Sequence, residues 1–360
     1  MENLVIEGQI TKILLEAINR EASDVFIVAG GPLAFKINGE KCNYNDIKLM
    51  PADTERLVNE IYSIYNNGDI STFKTTGDDD FSFSVGGLGR FRCNVYRQRG
   101  SMAAVLRVVK FDLPDFTALG IPGSVMNLCN LNKGLVLVTG PTGSGKSTTL
   151  ASIIDTINEN SYKHIITIED PIEFIHKHKK SIVSQREVNN DTKTYETALR
   201  AALRQSPDVI LLGEMRDFET IQTAITAAET GQLVFSTLHT IGAAKTIDRI
   251  IDVFPPSQQQ QVRIQLSMVL QAVVSQQLIP TVDGGLVPAF EIMVCNSAIR
   301  NMIRESKVFQ MDNVIYSGAN EGMRTMDGDI TRLYNEGRIT AENALLYSVN
   351  KDIMSRRVGK

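Results

Sequence analysis

The run Gly140-Pro141-Thr142-Gly143-Ser144-Gly145-Lys146-Ser147-Thr148-Thr149 constrains this chain more than any other stretch. It fits G-x-x-x-x-G-K-[ST], with Gly140, Gly145, Lys146 and Ser147 at the fixed positions. Glycines there let backbone N–H groups turn inward and cradle phosphate oxygens, which larger side chains would block. Lys146 places a positive charge on the β- and γ-phosphates, and the Ser147 hydroxyl suits Mg²⁺. The flanks agree with this reading. Gly134-Leu135-Val136-Leu137-Val138-Thr139 reads as a buried parallel strand. From Ser147 onward, apolar residues fall at helical spacing, so the loop opens a helix whose N-terminus faces the phosphates. Gly140 through Thr148 is therefore the expected phosphate cradle.

A chain of 360 residues is long for one core and suggests two domains. A net charge of −4 argues against a dedicated nucleic-acid binder, which shows a basic face. The one local basic cluster, His176 to Lys180, reads as a solvated turn. No apolar run approaches the ~20 residues of a membrane span, and the N-terminus lacks a signal-peptide core. Cys42, Cys93, Cys129 and Cys295 lie far apart without a C-x-x-C pair, which speaks against a four-cysteine zinc site and suits a reducing cytosol.

The first 112 residues read as a small antiparallel α+β domain. A one-sided helix spans Ile10 to Ala22, and strands follow at Val25–Ala29 and Leu33–Ile37, the second entering an Asn38-Gly39 hairpin turn. A helix starts near Pro51 and runs to Tyr65, and Phe81–Val85 alternates as a strand. Asp78–Asp80 reads as a solvated turn, with a metal site as the alternative. Arg90, Arg92, Arg97, Arg99 and Arg107 crowd the last strands before a Pro/Gly-punctuated linker at 113–123. Guanidinium forks suit phosphate, and P-loop enzymes draw arginine fingers from neighbouring domains or subunits.

From 124 to 360 the pattern is that of an ATPase domain with a helical C-terminal part. Strands at His164–Asp170, Val209–Glu214 and Gln232–His239 alternate with helices at Tyr195–Gln205 and Phe218–Thr230, which argues a parallel, right-handed core of RecA type. Beyond Ser257 the expectation is mainly helical, with a long amphipathic helix over Gln265–Gln277 and a strand at Phe290–Val294. Hydrolysis needs acids at the strand ends, where ligands bind in α/β sheets. Glu169 and Asp170 end one strand, Glu214 follows another, and His239 closes a third. Gly213 stands where many P-loop enzymes carry an aspartate.

Together these segments resemble the secretion and type IV pilus ATPase superfamily, and within it the pilus-retraction branch. Gly140–Thr149 matches its Walker A box, and Ile168-Glu169-Asp170-Pro171-Ile172-Glu173 its aspartate box. Leu203 to Asp217 matches the Walker B box and Ala228 to Thr240 the histidine box, while Ala298-Ile299-Arg300-Asn301-Met302-Ile303-Arg304-Glu305 is similar to the retraction signature. The resemblance implies a PAS-like N-terminal domain on a RecA-like ATPase domain, ATP and Mg²⁺ as ligands, and a homohexamer. It implies work at the cytoplasmic face of the membrane, held there by a pilus platform protein. It implies Ser147 and Glu214 at the metal, Glu169 and Glu214 as the catalytic acids with the base left open between them, and His239 as the γ-phosphate sensor. Arg92 and Arg107 take the positions of N-domain arginine fingers, and Arg200 and Arg204 those of a second pair. Arg300 and Arg304 would couple the moving domain to a neighbour or to the platform. Gln232 and Phe26 replace histidines common in the family. A pilus-assembly or type II secretion ATPase, a RecA-like nucleic-acid translocase and a non-hydrolysing nucleotide-binding regulator stay as alternatives. No nucleic-acid partner is expected.

Overall fold

A computed structural model describes residues 8–37, 39–66, 68–109 and 118–359. The chain divides into two units, Met1–Asp112 with Glu173–Ile175, and Leu113–Ile172 with His176–Lys360. The first part of the expected linker, 113–117, and Asn38 of the expected hairpin turn lie outside the described residues.

The first unit is one antiparallel sheet: β1 (Asp24–Ile27), β2 (Pro32–Ile37), β3 (Glu40–Lys48), β4 (Asp78–Val85), β5 (Gly89–Gln98) and β6 (Ser101–Val109), in the order β3-β2-β1-β6-β5-β4. The helices Gln9–Asn19 and Pro51–Asn66 join its core through Ile10, Ile13, Leu14, Leu57 and Ile61, which pack with Phe35 and Phe91. Their apolar residues recur every three or four positions, so one stripe of each helix is buried. Asp78–Asp80 is not a turn but the opening of β4, paired across to β5. Its acids are used locally: Asp79 accepts from the Tyr62 hydroxyl at 2.7 Å, and Asp80 binds Arg92.

The second unit is built on a seven-stranded sheet. Its strands are β7 (Gly134–Thr139), β8 (His164–Glu169), β9 (Ile182–Glu187), β10 (Val209–Leu212), β11 (Leu233–Leu238), β12 (Leu270–Pro280) and β13 (Leu286–Val294). The order is β13-β12-β7-β11-β10-β8-β9, parallel throughout except for β13. Every residue of β7, β10 and β11 is buried, which is why these strands read as largely apolar runs. Alternate residues serve two cores. Val136 and Val138 meet Leu150, Ile153 and Ile154 of the helix Lys146–Asn160. Leu135 and Leu137 share the opposite core with the helices Tyr195–Ala202 and Phe218–Glu229. With the P-loop after β7 and β11 lying between β7 and β10, this is the RecA-like arrangement. The fold class is thus a RecA-like α/β domain with a smaller α+β N-terminal domain.

The expected helix over Gln265–Gln277 is a correction. A helix does span Pro256–Val269, but from Leu270 the chain is β12, beside β7 and paired along its length with β13. Apolar residues at 266, 269, 270, 273 and 274 satisfy helical spacing, yet 272–277 are all buried. A strand covered on both faces shows no alternation, so periodicity alone could not separate the two forms. Past β13, short helices close a bundle on Ile279, Val287 and Ala289, with Met326, Ile330, Leu333, Ala344 and Met354 inside it.

The signature helix, Ser297–Arg304, buries Ile299 and Ile303 and is capped by Asn296, whose Oδ1 accepts from Ile299 N. Arg300 does not face outward as a coupling charge. It donates to the carbonyls of Ser267 (2.7 Å) and Met268 (3.0 Å) and to Gln271 Oε1 (3.1 Å). The two carbonyls belong to the last turn of the helix ahead of β12, where no intrahelical donor remains. Arg300→Ala should therefore destabilise the fold by about 1–3 kcal/mol, the cost of stranding polar groups that a cation served. Arg304, exposed beside Asn301, should tolerate alanine with no change in melting temperature. Thermal unfolding of the two variants checks both outcomes.

Candidate active site at the carboxyl edge of the parallel sheet

β7 delivers the phosphate loop, and the helix that follows begins at Lys146 with Gly145 in the left-handed region (φ 86°). Gly140 is required by contact as well as by conformation. At its φ of 143°, an added Cβ would run into the main-chain oxygen of Gln276 and lie 2.7 Å from Ser144 Oγ. Lys146, almost fully buried, donates to the carbonyls of Gly140 and Pro141, each at 2.9 Å. These are neutral acceptors, weaker partners for an ammonium than phosphate oxygens. Ser144 Oγ, in a residue only 3% exposed, has no hydrogen-bond partner among the described residues. A buried orphan hydroxyl, a cradle with no room for a Cβ and a helix N-terminus fit phosphate groups together.

Because β8, β10 and β11 run parallel in register, Glu169, Glu214 and His239 emerge at one edge with the loop. Glu169 Oε1 accepts from Thr167 Oγ1 at 2.6 Å and from Gln185 Nε2 at 3.3 Å, which fixes its carboxylate. Glu214, 11% exposed at its side chain, is held on both oxygens. Oε1 meets the Arg216 guanidinium, and Oε2 lies 3.1 Å from His239 Nε2. The Thr237 hydroxyl donates to the Gly213 carbonyl at 2.7 Å and locks these strand ends together. Arg216 itself is 71% exposed, and its bond to Glu214 raises its pKa further.

Gly213 explains the absent aspartate. A Cβ there would stand 2.8 Å from the Tyr195 hydroxyl and 3.3 Å from the Glu169 backbone, so a side chain would displace the Tyr195 ring and crowd the neighbouring strand end. Burial, then the carboxylates of Asp170, Glu214 and Glu169, push the Tyr195 hydroxyl well above its ordinary pKa, so it stays a neutral donor beside the acids. Tyr195 and Gln185 reach the site through tertiary contact, which local spacing does not flag, whereas Arg216 lies two residues past Glu214 and is singled out only by its ion pair.

Gln232 is on the far side of the sheet. It precedes β11 at its amino end, whereas His239 follows the carboxyl end, about 20 Å away at strand rise. In this chain residue 232 cannot touch a nucleotide at the loop, whatever its side chain. It accepts from Thr230 instead, at 2.8 Å.

The four candidate arginines lie in two places. Arg92 and Arg107 face each other in register on β5 and β6 of the first unit. Like charges so placed repel, and flanking acids offset this. Arg92 binds both oxygens of Asp80 at 2.6 and 3.1 Å, and Arg107 meets Asp24 at 3.0 Å. In the second unit Arg200 pairs with Glu196 one turn back at 2.7 Å, and Arg204 is exposed just past that helix.

A family model described as type II/IV secretion system protein matches residues 2–285. The chain belongs to that family. Within it, the chain is 48% identical over 335 residues to the type IV pilus retraction ATPase PilT of Pseudomonas aeruginosa, covering 93% of this chain and 96% of that protein. A twitching motility protein of Neisseria gonorrhoeae is 46% identical over 310 residues, covering 86% of this chain and 83% of its own. A crystal structure described as the pilus retraction motor PilT with bound ADP superposes with a TM-score of 0.89 at 50% identity, covering 96% of this chain and 98% of that one. Family membership accounts for the paired architecture, a small N-terminal domain and an ATPase domain. No helix among the described residues is long and apolar enough to cross a membrane.

Proposed function

We propose that this chain hydrolyses ATP with Mg²⁺ and uses the energy to retract type IV pili. The observation that carries the reading is the gathering of Lys146, Glu169, Glu214 and His239 at one sheet edge, in a chain alike to retraction ATPases over nearly its whole length. Lys146 would exchange its two carbonyl partners for the β/γ-phosphates. A carboxylate, Glu169 or Glu214, would orient water and take its proton, with His239 holding Glu214 in place until the γ-phosphate arrives. Ser147 and Glu214 offer a hydroxyl and a carboxylate, hard oxygen donors that suit Mg²⁺ alongside substrate phosphates. When bound, the ion would neutralise charge on the transferring phosphoryl group.

Arg92, Arg107, Arg200 and Arg204 fit as fingers that complete sites in a ring of six, each now parked on a carboxylate or in solvent. The ring would sit at the cytoplasmic face of the membrane and act on the pilus through a platform protein. ATP turnover measured together with native mass tests this reading. Turnover in a hexamer, unchanged by single-stranded DNA, is expected. A monomer at full activity would remove the role of fingers from neighbours, and turnover stimulated by DNA would favour a translocase.

A further inference from the structure

Three consecutive polar residues, Ser275, Gln276 and Gln277, are buried in the middle of β12, at 0%, 3% and 8% exposure. Buried polar side chains are costly unless bonded, so such a run inside a sheet calls for partners. Each residue has one, and the partners belong to different parts of the unit. Ser275 Oγ accepts from Gly242 N at 3.0 Å, just beyond His239. Gln276 Oε1 accepts from the Thr149 hydroxyl at 2.8 Å, in the first turn after the phosphate loop. Gln277 Nε2 donates to the Tyr347 carbonyl at 3.3 Å, in the C-terminal bundle.

We infer that β12 is a relay that makes the C-terminal helices respond to nucleotide at the phosphate loop. Strand register sets Ser275 opposite Thr139, so Gln276 runs alongside Gly140. There the main-chain oxygen of Gln276 leaves no space for a Cβ on Gly140. When Lys146 leaves the carbonyls of Gly140 and Pro141 for phosphate, the loop shifts against a strand that has no slack. Neighbouring residues of a strand point to opposite faces, so Gln276 and Gln277 carry the shift from one side of the sheet to the other. The far end of β12 is tied to the same bundle, since Asn343 Nδ2 donates to the Pro280 carbonyl at 2.9 Å and Ile279 lies in its core. Rigid packing transmits such shifts rather than absorbing them. The relay rests on nucleotide occupying the loop and adds to that reading where the signal leaves it.

Hydrogen exchange on the full chain, with and without ADP, reads the relay. In the wild type, saturating ADP slows exchange across residues 341–359. Gln277→Leu should still bind ADP, but at least about fivefold more weakly, because coupled sites share their free energy in both directions. Exchange across 341–359 should no longer respond in that variant. Thr149→Val removes only the hydroxyl that meets Gln276 and should give the same loss from the loop side, even if Gln276→Leu fails to fold. Gln276→Met keeps the length of the side chain but offers Thr149 no comparable acceptor and should lose the response, which a requirement for packing volume alone would not explain. Exchange across 341–359 that ignores ADP in the wild type, or slows equally in Gln277→Leu, overturns the relay. Failure of the wild type to bind ADP would instead overturn the assignment of the loop.

Discussion

Lys146→Ala lowers ATP turnover by about 10²–10³-fold or more, the range seen when one electrostatic partner of a developing charge is removed. The fold should survive. In the structure the ammonium donates to the carbonyls of Gly140 and Pro141 in its own loop. Losing it leaves two acceptors at an edge where Pro141 is already exposed, a cost of about 1 kcal/mol that a domain of this size tolerates. Steady-state hydrolysis with a parallel melting curve separates the two effects. Turnover near wild type in a folded Lys146→Ala chain would remove the phosphate loop from the chemistry.

The acids should give the second large effect. Glu214→Gln and Glu169→Gln each keep size and shape while removing a carboxylate charge proposed to hold Mg²⁺ or to orient water and take its proton. Turnover should fall by about 10²-fold or more in either variant. Binding of ADP should persist, because the cradle of backbone N–H groups and Lys146 is untouched. The two need not fail alike. Glu214 also meets Arg216 and His239, so its amide loosens its hold on both, whereas Glu169 accepts from Thr167 and Gln185. Rapid-quench turnover alongside nucleotide affinity resolves them. Affinity lost in step with rate would make the acids structural.

What could be read in advance follows from how locally each feature is encoded. β7, β8, β10 and β11 are legible because strands buried on both faces are mostly apolar, and the phosphate loop because its backbone geometry demands glycine at set places. β3 and β9 were not anticipated. β3 is a largely exposed edge of polar residues paired only to β2, and β9 mixes exposed and half-buried positions beside β8 alone. β12 was mistaken for helix because its apolar spacing permits both forms, and only its place beside β7 decides between them. The candidate acids are legible because they stand at strand ends. Gln185 on Glu169 and Gln276 under Thr149 are not, since folding and not spacing brings them there. Arg300 shows the converse: a charge inside a family signature, read as an outward contact, caps a helix of its own chain.

The count of surface pili on cells whose only copy of this protein carries Lys146→Ala tests the central claim most directly. A retraction ATPase without turnover leaves assembly running unopposed, so the account predicts cells with more pili than wild type and no twitching zone. Cells stripped of surface pili, with the variant present at wild-type level, would mean that the chain drives assembly and would contradict it.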